Sequence, residues 1–241
     1  MDRYALATSQ NRMLAALPPA EHDRVQRHLA GVSPQLGTVL QEVYAPIEHV
    51  YFPVDGLLSL VVRMREGDAV ETGIIGNEGV DGTMLVLGVA HAFTSTTVQV
   101  AGRFLRMPAA EFAAAFRECP TLAVLTQRYH AALFFQAKQL IACNAIHGAE
   151  MRLARWMLQV RDRIDSARLP LTHEFLAQML AVRRTTVTEV LGEFQARGLV
   201  RQHRGAIELL DEARLRDVAC ECYSAIRDQQ RHVLPNVPVP A

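Results

Sequence analysis

Residues 171–210 read LTHEFLAQMLAVRRTTVTEVLGEFQARGLVRQHRGAIELL, and their spacing predicts two helices, a tight turn and a short hairpin. Thr172 precedes the first helix and can accept hydrogen bonds from its free amides, with Glu174 in the opening turn. Phe175, Leu176, Met179 and Leu180 recur at helical steps and supply a buried face. Ala181 and Val182 make the turn, and small Ala177 lets the two helices approach. The second helix, over about residues 184–197, buries Val187, Val190, Leu191 and Phe194. Gly198 stops it, and two strands follow that turn at Arg204-Gly205.

That arrangement is a winged helix-turn-helix, and it leaves polar groups where a recognition helix meets DNA. The exposed end carries Arg183, Arg184, Thr185, Thr186, Thr188 and Glu189. Arginine can donate twice to guanine, threonine can touch a thymine methyl or a phosphate, and glutamate can accept from cytosine. Thr172 at the cap and Arg201, His203 and Arg204 in the hairpin complete the candidate DNA contacts, the latter beside the phosphate backbone. The competing reading is a ligand-binding or scaffolding module that keeps the winged fold without touching DNA. Binding to DNA that weakens as salt rises separates the two.

Upstream, residues 9–31 read as short helices, the first capped by Ser9 or Asn11 and the next entered through Pro18-Pro19. From about residue 38 to 106, segments rich in Val, Thr, Ile, Leu and aromatics alternate with turns. These turns are Val54-Asp55-Gly56, Glu66-Gly67-Asp68 and Gly76-Asn77-Glu78-Gly79. Short strands at this spacing predict a small antiparallel barrel or jelly roll. Gly73, Gly76, Gly79 and Gly82 are expected as turn glycines of that roll. A short helix follows Pro108, and a long one runs from Pro120 to about Ile146. Leu122, Leu125, Tyr129, Leu133, Ala137, Leu140 and Asn144 form a stripe along it. The helix is apolar over more of its circumference than one neighbour needs, so dimerisation through it is expected. His147-Gly148 reads as a hinge, residues 149–164 as another helix and residues 165–170 as a connector.

The 241 residues suit two domains, and half of them are hydrophobic, which excludes a disordered chain. Charges balance at 25 basic against 25 acidic residues. No apolar run is long enough for a membrane span, and the N-terminus lacks the apolar core of a signal peptide, so the expected location is the cytoplasm. Cys119, Cys143, Cys220 and Cys222 are then expected as reduced structural thiols. Cys220 and Cys222 form a CxC pair with no second pair nearby, and no cysteine precedes Cys119, so neither a metal nor an iron–sulfur cluster is expected. The nine histidines are scattered and are read as surface or satisfied groups. No nucleophile elbow, HExxH or Walker motif is visible, and no enzymatic activity is expected.

With VYFPVDGLLSLVV in the roll, the long helix, EMRLARWML and the winged motif all placed, the chain resembles the cyclic-AMP receptor and fumarate–nitrate regulator (Crp/Fnr) family of bacterial transcription regulators. The resemblance implies an α+β protein in four parts. Residues 1–119 are a cyclic-nucleotide-binding-like β-roll sensor and 120–147 a dimerisation helix. Residues 148–224 are the winged helix-turn-helix, and 225–241 a tail. It implies double-stranded DNA and a second copy as partners, with RNA polymerase and a small-molecule effector as further candidates. Members that bind cyclic nucleotides carry a Gly-Glu pair and an Arg-Ser or Arg-Thr pair in the roll. Here Gly82-Thr83 and Thr94-Ser95 stand at those places, followed by Thr96, and these five form the candidate effector pocket. No arginine lies between Arg65 and Arg103, so cyclic AMP held in the usual manner is not expected. Many members read DNA with a Glu and an Arg four residues later. Thr185 and Glu189 occupy those positions, with Arg184 at the arginine just before, so the usual half-site does not carry over.

Overall fold

The computed structural model of the chain describes Thr8 and residues 10–67, 69–164 and 166–234. Ser9, Asp68, Asp165 and the tail beyond residue 234, each part of a sequence expectation, lie outside the described residues. Asn11 caps α1 (Arg12–Ala15), accepting from Leu14 N at 3.1 Å. Its amide donates to the carbonyls of Pro53 at 2.9 Å and Gly79 at 3.0 Å, which pins the helix to the roll. Pro19 opens α2 (Pro19–Gln26), where a missing N–H costs no helical hydrogen bond.

The roll contains β1 (Ala30–Val32), β2 (Val39–Gln41), β3 (His49–Pro53), β4 (Leu57–Arg63), β5 (Ala69–Ile75), β6 (Ser95–Val100) and β7 (Phe104–Pro108). They pair antiparallel in two sheets, ordered β1-β7-β3 and β2-β6-β4-β5. The segment TSTTVQVAGRFLRM divides into β6 and β7, which belong to different sheets. The Asp55 carboxylate closes the break, accepting from Arg103 N at 2.5 Å and Arg103 Nε at 2.7 Å. Val50, Phe52, Leu58, Ile75, Val98 and Phe104 fill the space between the sheets. Of the four expected turn glycines only Gly82 has a left-handed backbone, with φ +86°. Gly79 serves packing instead, because a Cβ there would meet Tyr129 Cζ at 1.8 Å.

After α3 (Ala109–Glu118) comes α4 (Pro120–Ile146), 27 residues and so about 40 Å long. Leu122, Leu125, Tyr129 and Leu140 are buried within the chain, Leu133 and Ala137 are half-buried, and Asn144 is exposed. The buried seam passes instead through Ala132, Gln136 and Cys143, advancing seven residues every two turns rather than following the slower drift of the expected stripe. Away from the seam, Phe134 is 59% exposed and Ile141 71% exposed.

The second unit contains α5 (Ala149–Ile164), β8 (Arg168–Leu169), α6 (His173–Leu180), α7 (Arg184–Ala196), β9 (Val200–His203), β10 (Ala206–Leu209), α8 (Glu212–Val218) and α9 (Cys222–Val233). Strand β8 lies inside the expected connector and makes the wing three-stranded, in the order β8-β10-β9. Trp156, Leu176, Leu180, Leu191 and Phe194 form its core, and Leu57, Ile74 and Val100 of the roll belong to the same apolar cluster. The two units therefore share buried surface. Polar groups cross it as well: Arg163 Nε meets Glu78 Oε1 at 2.8 Å, with both side chains 6% exposed.

Candidate nucleic-acid interface and sensor cavity

Thr172 caps α6 as expected, accepting from Phe175 N at 3.2 Å. Ala181 then takes a left-handed backbone, φ +50°, and turns the chain at once into α7. A left-handed alanine is strained relative to glycine, and the buried residues on either side hold it there. Arg183 caps α7 through its backbone alone, with no side-chain acceptor and no acidic residue in the first turn. The helix start thus presents free amides and the positive end of its dipole. Arg183, Arg184, Thr185, Thr188 and Glu189 are exposed and Thr186 is half-buried. Arg184 lies 3.8 Å from Glu174, a solvent-exposed pair. At its far end α7 closes on Gly198, φ +70°, with Leu199 N donating to Phe194 O at 2.9 Å.

The wing turns at Gly205, φ +73°, as its sequence predicts. Arg201 and His203 both reach Glu208 Oε2, at 3.4 and 2.9 Å, and these contacts hold its carboxyl below the usual range, the His203 hydrogen bond contributing most. Glu208 competes with phosphate for two of the three expected wing contacts. Arg204, exposed at the tip, has no such partner among the described residues. One residue outside the expected set organises the interface. His173 sits 2.9 Å from Thr188 Oγ1 through Nδ1 and 2.9 Å from Gln202 Oε1 through Nε2, joining both helices to the wing. Its place one residue after the cap was the available signal.

In the roll, a cavity of about 180 Å³ opens between the strands and α4. Gly82, Thr83, Thr94 and Thr96 line it, whereas Ser95, on the opposite side of the strand, does not. Its other walls are mostly apolar, from Ile47, Leu60, Ile75 and Met84 to Phe93 and Phe134. Two titratable groups face it. Burial pushes the Asp81 carboxyl up to about 6; Thr96 donates to one of its oxygens at 3.2 Å and the other has no partner. His130, 3.1 Å from Thr83 Oγ1, is pushed below its ordinary value by burial. No lysine or arginine is among the lining residues.

A second grouping lies where α4 ends. The ligand atoms of Cys143, His147, Cys220 and Cys222 all fall within 4.8 Å of one another. The sequence reading of the histidines as scattered needs correction at His147, which lies one helical turn after Cys143. That signal was present, but the partnership with Cys220 and Cys222 requires the tertiary fold.

Residues 151–218 match the Crp-like helix-turn-helix domain. The global nitrogen regulator of Nostoc sp. is 25% identical over 178 residues, covering 67% of this chain and 77% of that protein. The global nitrogen regulator of Synechocystis sp. is 26% identical over 171 residues, covering 64% and 73%. Among solved structures, FixK2 from Bradyrhizobium japonicum aligns with a TM-score of 0.68 at 15% identity, covering 80% of this chain and 98% of that one. A Crp/Fnr-family regulator from Eubacterium rectale gives 0.64 at 20% identity, covering 86% and 96%. Both share the fold. Among the described residues no helix is long and apolar enough to cross a membrane.

Proposed function

Since the chain belongs to the Crp/Fnr family of DNA-binding transcription regulators, we propose that it reads a two-fold related DNA site as a cytoplasmic homodimer, by binding and not by catalysis. Paired α7 helices would then enter successive major grooves about 34 Å apart. The observation that carries this reading is the exposed, acid-free start of α7, with Arg183 and Arg184 beside free backbone amides. Phe134 and Ile141, seven residues apart on one side of α4, support pairing of the long helices, because exposed apolar side chains at heptad spacing gain from a twin.

The cavity beneath α4 is the effector site in this reading. Its apolar walls, the unpartnered Asp81 oxygen and the lack of a lining cation favour a neutral or cationic small molecule that donates a hydrogen bond. A cyclic phosphate would meet a carboxylate there and no guanidinium. Such an effector acts by binding one arrangement of the reading heads better than the other, and recruitment of RNA polymerase would follow from the bound dimer.

Selection of duplexes from a random pool, with sedimentation of the free protein, tests the proposal. The expected result is a dimer and a palindromic consensus whose affinity falls as salt rises. A monomer at working concentration, or selection of unrelated sequences, overturns it.

A further inference from the structure

The end of α4 and the start of α9 hold a cluster with no part in DNA reading or effector binding. Cys143 lies on the last turn of α4 and His147 is the first residue past it; Cys220 sits in the loop before α9, and Cys222 is the first residue of α9. Cys143, Cys220 and Cys222 are buried, and His147 is half-buried. The Cys143 and Cys220 sulfurs are 3.5 Å apart, and Cys222 Sγ is 3.6 Å from His147 Nδ1.

We propose that Cys143, His147, Cys220 and Cys222 form a closed mononuclear metal site of the zinc class, fastening the C-terminal helix to the end of the long helix. This claim does not depend on how the chain reads DNA.

Three observations carry it. The first is size. A tetrahedral zinc with bonds of about 2.3 Å to sulfur and about 2.0 Å to nitrogen separates its ligand atoms by roughly 3.5–3.8 Å. Two spacings, 3.5 Å between Cys143 and Cys220 and 3.6 Å between Cys222 and His147, match that edge, and all four ligand atoms lie within 4.8 Å of one another, tighter than the donor set of an iron–sulfur cluster. Three thiolates and an imidazole are soft donors that exclude calcium and magnesium.

The second is the histidine's far side. With Nδ1 facing Cys222, Nε2 lies 3.1 Å from the Glu221 carboxylate. A metal-bound histidine ordinarily gives its other N–H to such an acceptor, which fixes the ring. A histidine kept only for packing has no need of one aligned with a thiol trio.

The third is charge and composition. Three thiolates, a neutral imidazole and a divalent ion sum to one negative charge. The buried guanidinium groups of Arg152 and Arg155 act electrostatically on Cys143 and can offset that charge. The apolar cluster at this point consists of the three cysteines with half-buried Met151, and includes no aliphatic side chain. Simple packing would place leucine or valine there.

The test uses the full chain purified under reducing conditions. Elemental analysis is expected to find one zinc per chain. Cobalt(II) added anaerobically to the stripped protein should give thiolate-to-cobalt charge-transfer bands and the intense visible bands of a tetrahedral ion. Cys220→Ser and Cys222→Ser should abolish those bands. Glu221→Gln should weaken the metal 10–100-fold while preserving the spectrum, as loss of a ligand's outer partner does. Cys119→Ser, in the sensor core, should change nothing. Because the wild-type spectrum and stoichiometry decide by themselves, an unfolded variant leaves the test intact. A folded, reduced wild-type chain that takes up neither zinc nor cobalt, or gives an octahedral spectrum without thiolate bands, overturns the proposal. So does recovery of a Cys143–Cys220 disulfide in place of metal.

Discussion

The indole Nε1 of Trp156 donates a 2.8 Å hydrogen bond to Oε1 of Glu71, tying the first helix of the DNA-binding unit to a strand of the β-roll. Both groups are buried, and the carboxyl also meets the Ser59 hydroxyl, close to Gln99 and within the field of Arg155. Burial outweighs these partners and raises the Glu71 carboxyl from 4.5 to about 7.

That shift predicts how stability depends on pH. Between about pH 4.5 and 7 the native state keeps a proton that the unfolded chain releases, so stability is fullest below that window and declines as pH rises through it. The shift corresponds to roughly 3 kcal/mol, an upper figure for one group. Asp81, raised from 3.8 to about 6, adds a slope of the same sign at lower pH. Glu71→Gln keeps a hydrogen-bond acceptor for Trp156 but cannot ionise. Thermal melts from pH 5 to 7.5 should show a falling Tm for the wild type and a flatter profile for the variant. Parallel profiles would separate Glu71 from the slope.

A second contact between the units is the buried ion pair of Arg163 with Glu78. Glu78→Ala leaves a guanidinium buried without its partner and should cost about 3–5 kcal/mol in denaturant unfolding. Replacing the pair with Met at both positions should recover much of that loss, since two desolvated charges gain little over good apolar packing. Equal losses from the single and double changes would mean the site depends on shape alone.

The winged motif was legible because its signals are local: Thr172 at the cap, Gly198 and Gly205 at left-handed positions, and apolar steps between them. The roll's strands from residue 38 onward were legible by the same means, apart from the break between β6 and β7, which depends on Asp55 reaching across from another turn; β1 (Ala30–Val32), starting in the stretch read as helical, was not. What escaped was fixed by distant parts of the chain. Gly79 reads as a turn glycine until Tyr129 is laid over it, and His173 is one more scattered histidine until the wing brings Gln202 beside it. On α4 the single chain's own buried seam follows a heptad through Ala132, Gln136 and Cys143, whereas the expected stripe turns through Leu133, Ala137 and Asn144, which stay half-buried or exposed. Cys222 has no neighbour at ligand spacing in sequence beyond Cys220, and only the return of the last helix brings it to His147.

The exposed heptad pair on α4 gives the dimer its test. Ile141 is 71% exposed in the single chain, so a charge there costs the protomer little, whereas at a twin interface it would be desolvated without a partner. Ile141→Glu should leave the Tm within a few degrees at low concentration and shift sedimentation from dimer to monomer. A variant that remains dimeric moves the interface off this face of α4.

Arg184 and Arg204 should fail in different ways, and the difference separates base reading from phosphate binding. The Arg184 pair with Glu174, at 3.8 Å and 69% and 79% exposed, holds the side chain only weakly, so Arg184 can exchange it for a base edge. Arg184→Ala should cost roughly 1–3 kcal/mol on the selected site and relax its base preference. Arg204, exposed at the wing tip, is the candidate contact to the phosphate backbone. Arg204→Ala should weaken all sequences alike and lower the slope of log affinity against log salt by about one. Anisotropy titrations on matched and scrambled duplexes at several salt concentrations measure both effects. If Arg184→Ala weakens both duplexes equally, the arginine is a phosphate contact and the reading of bases passes to Thr185, Thr188 and Glu189.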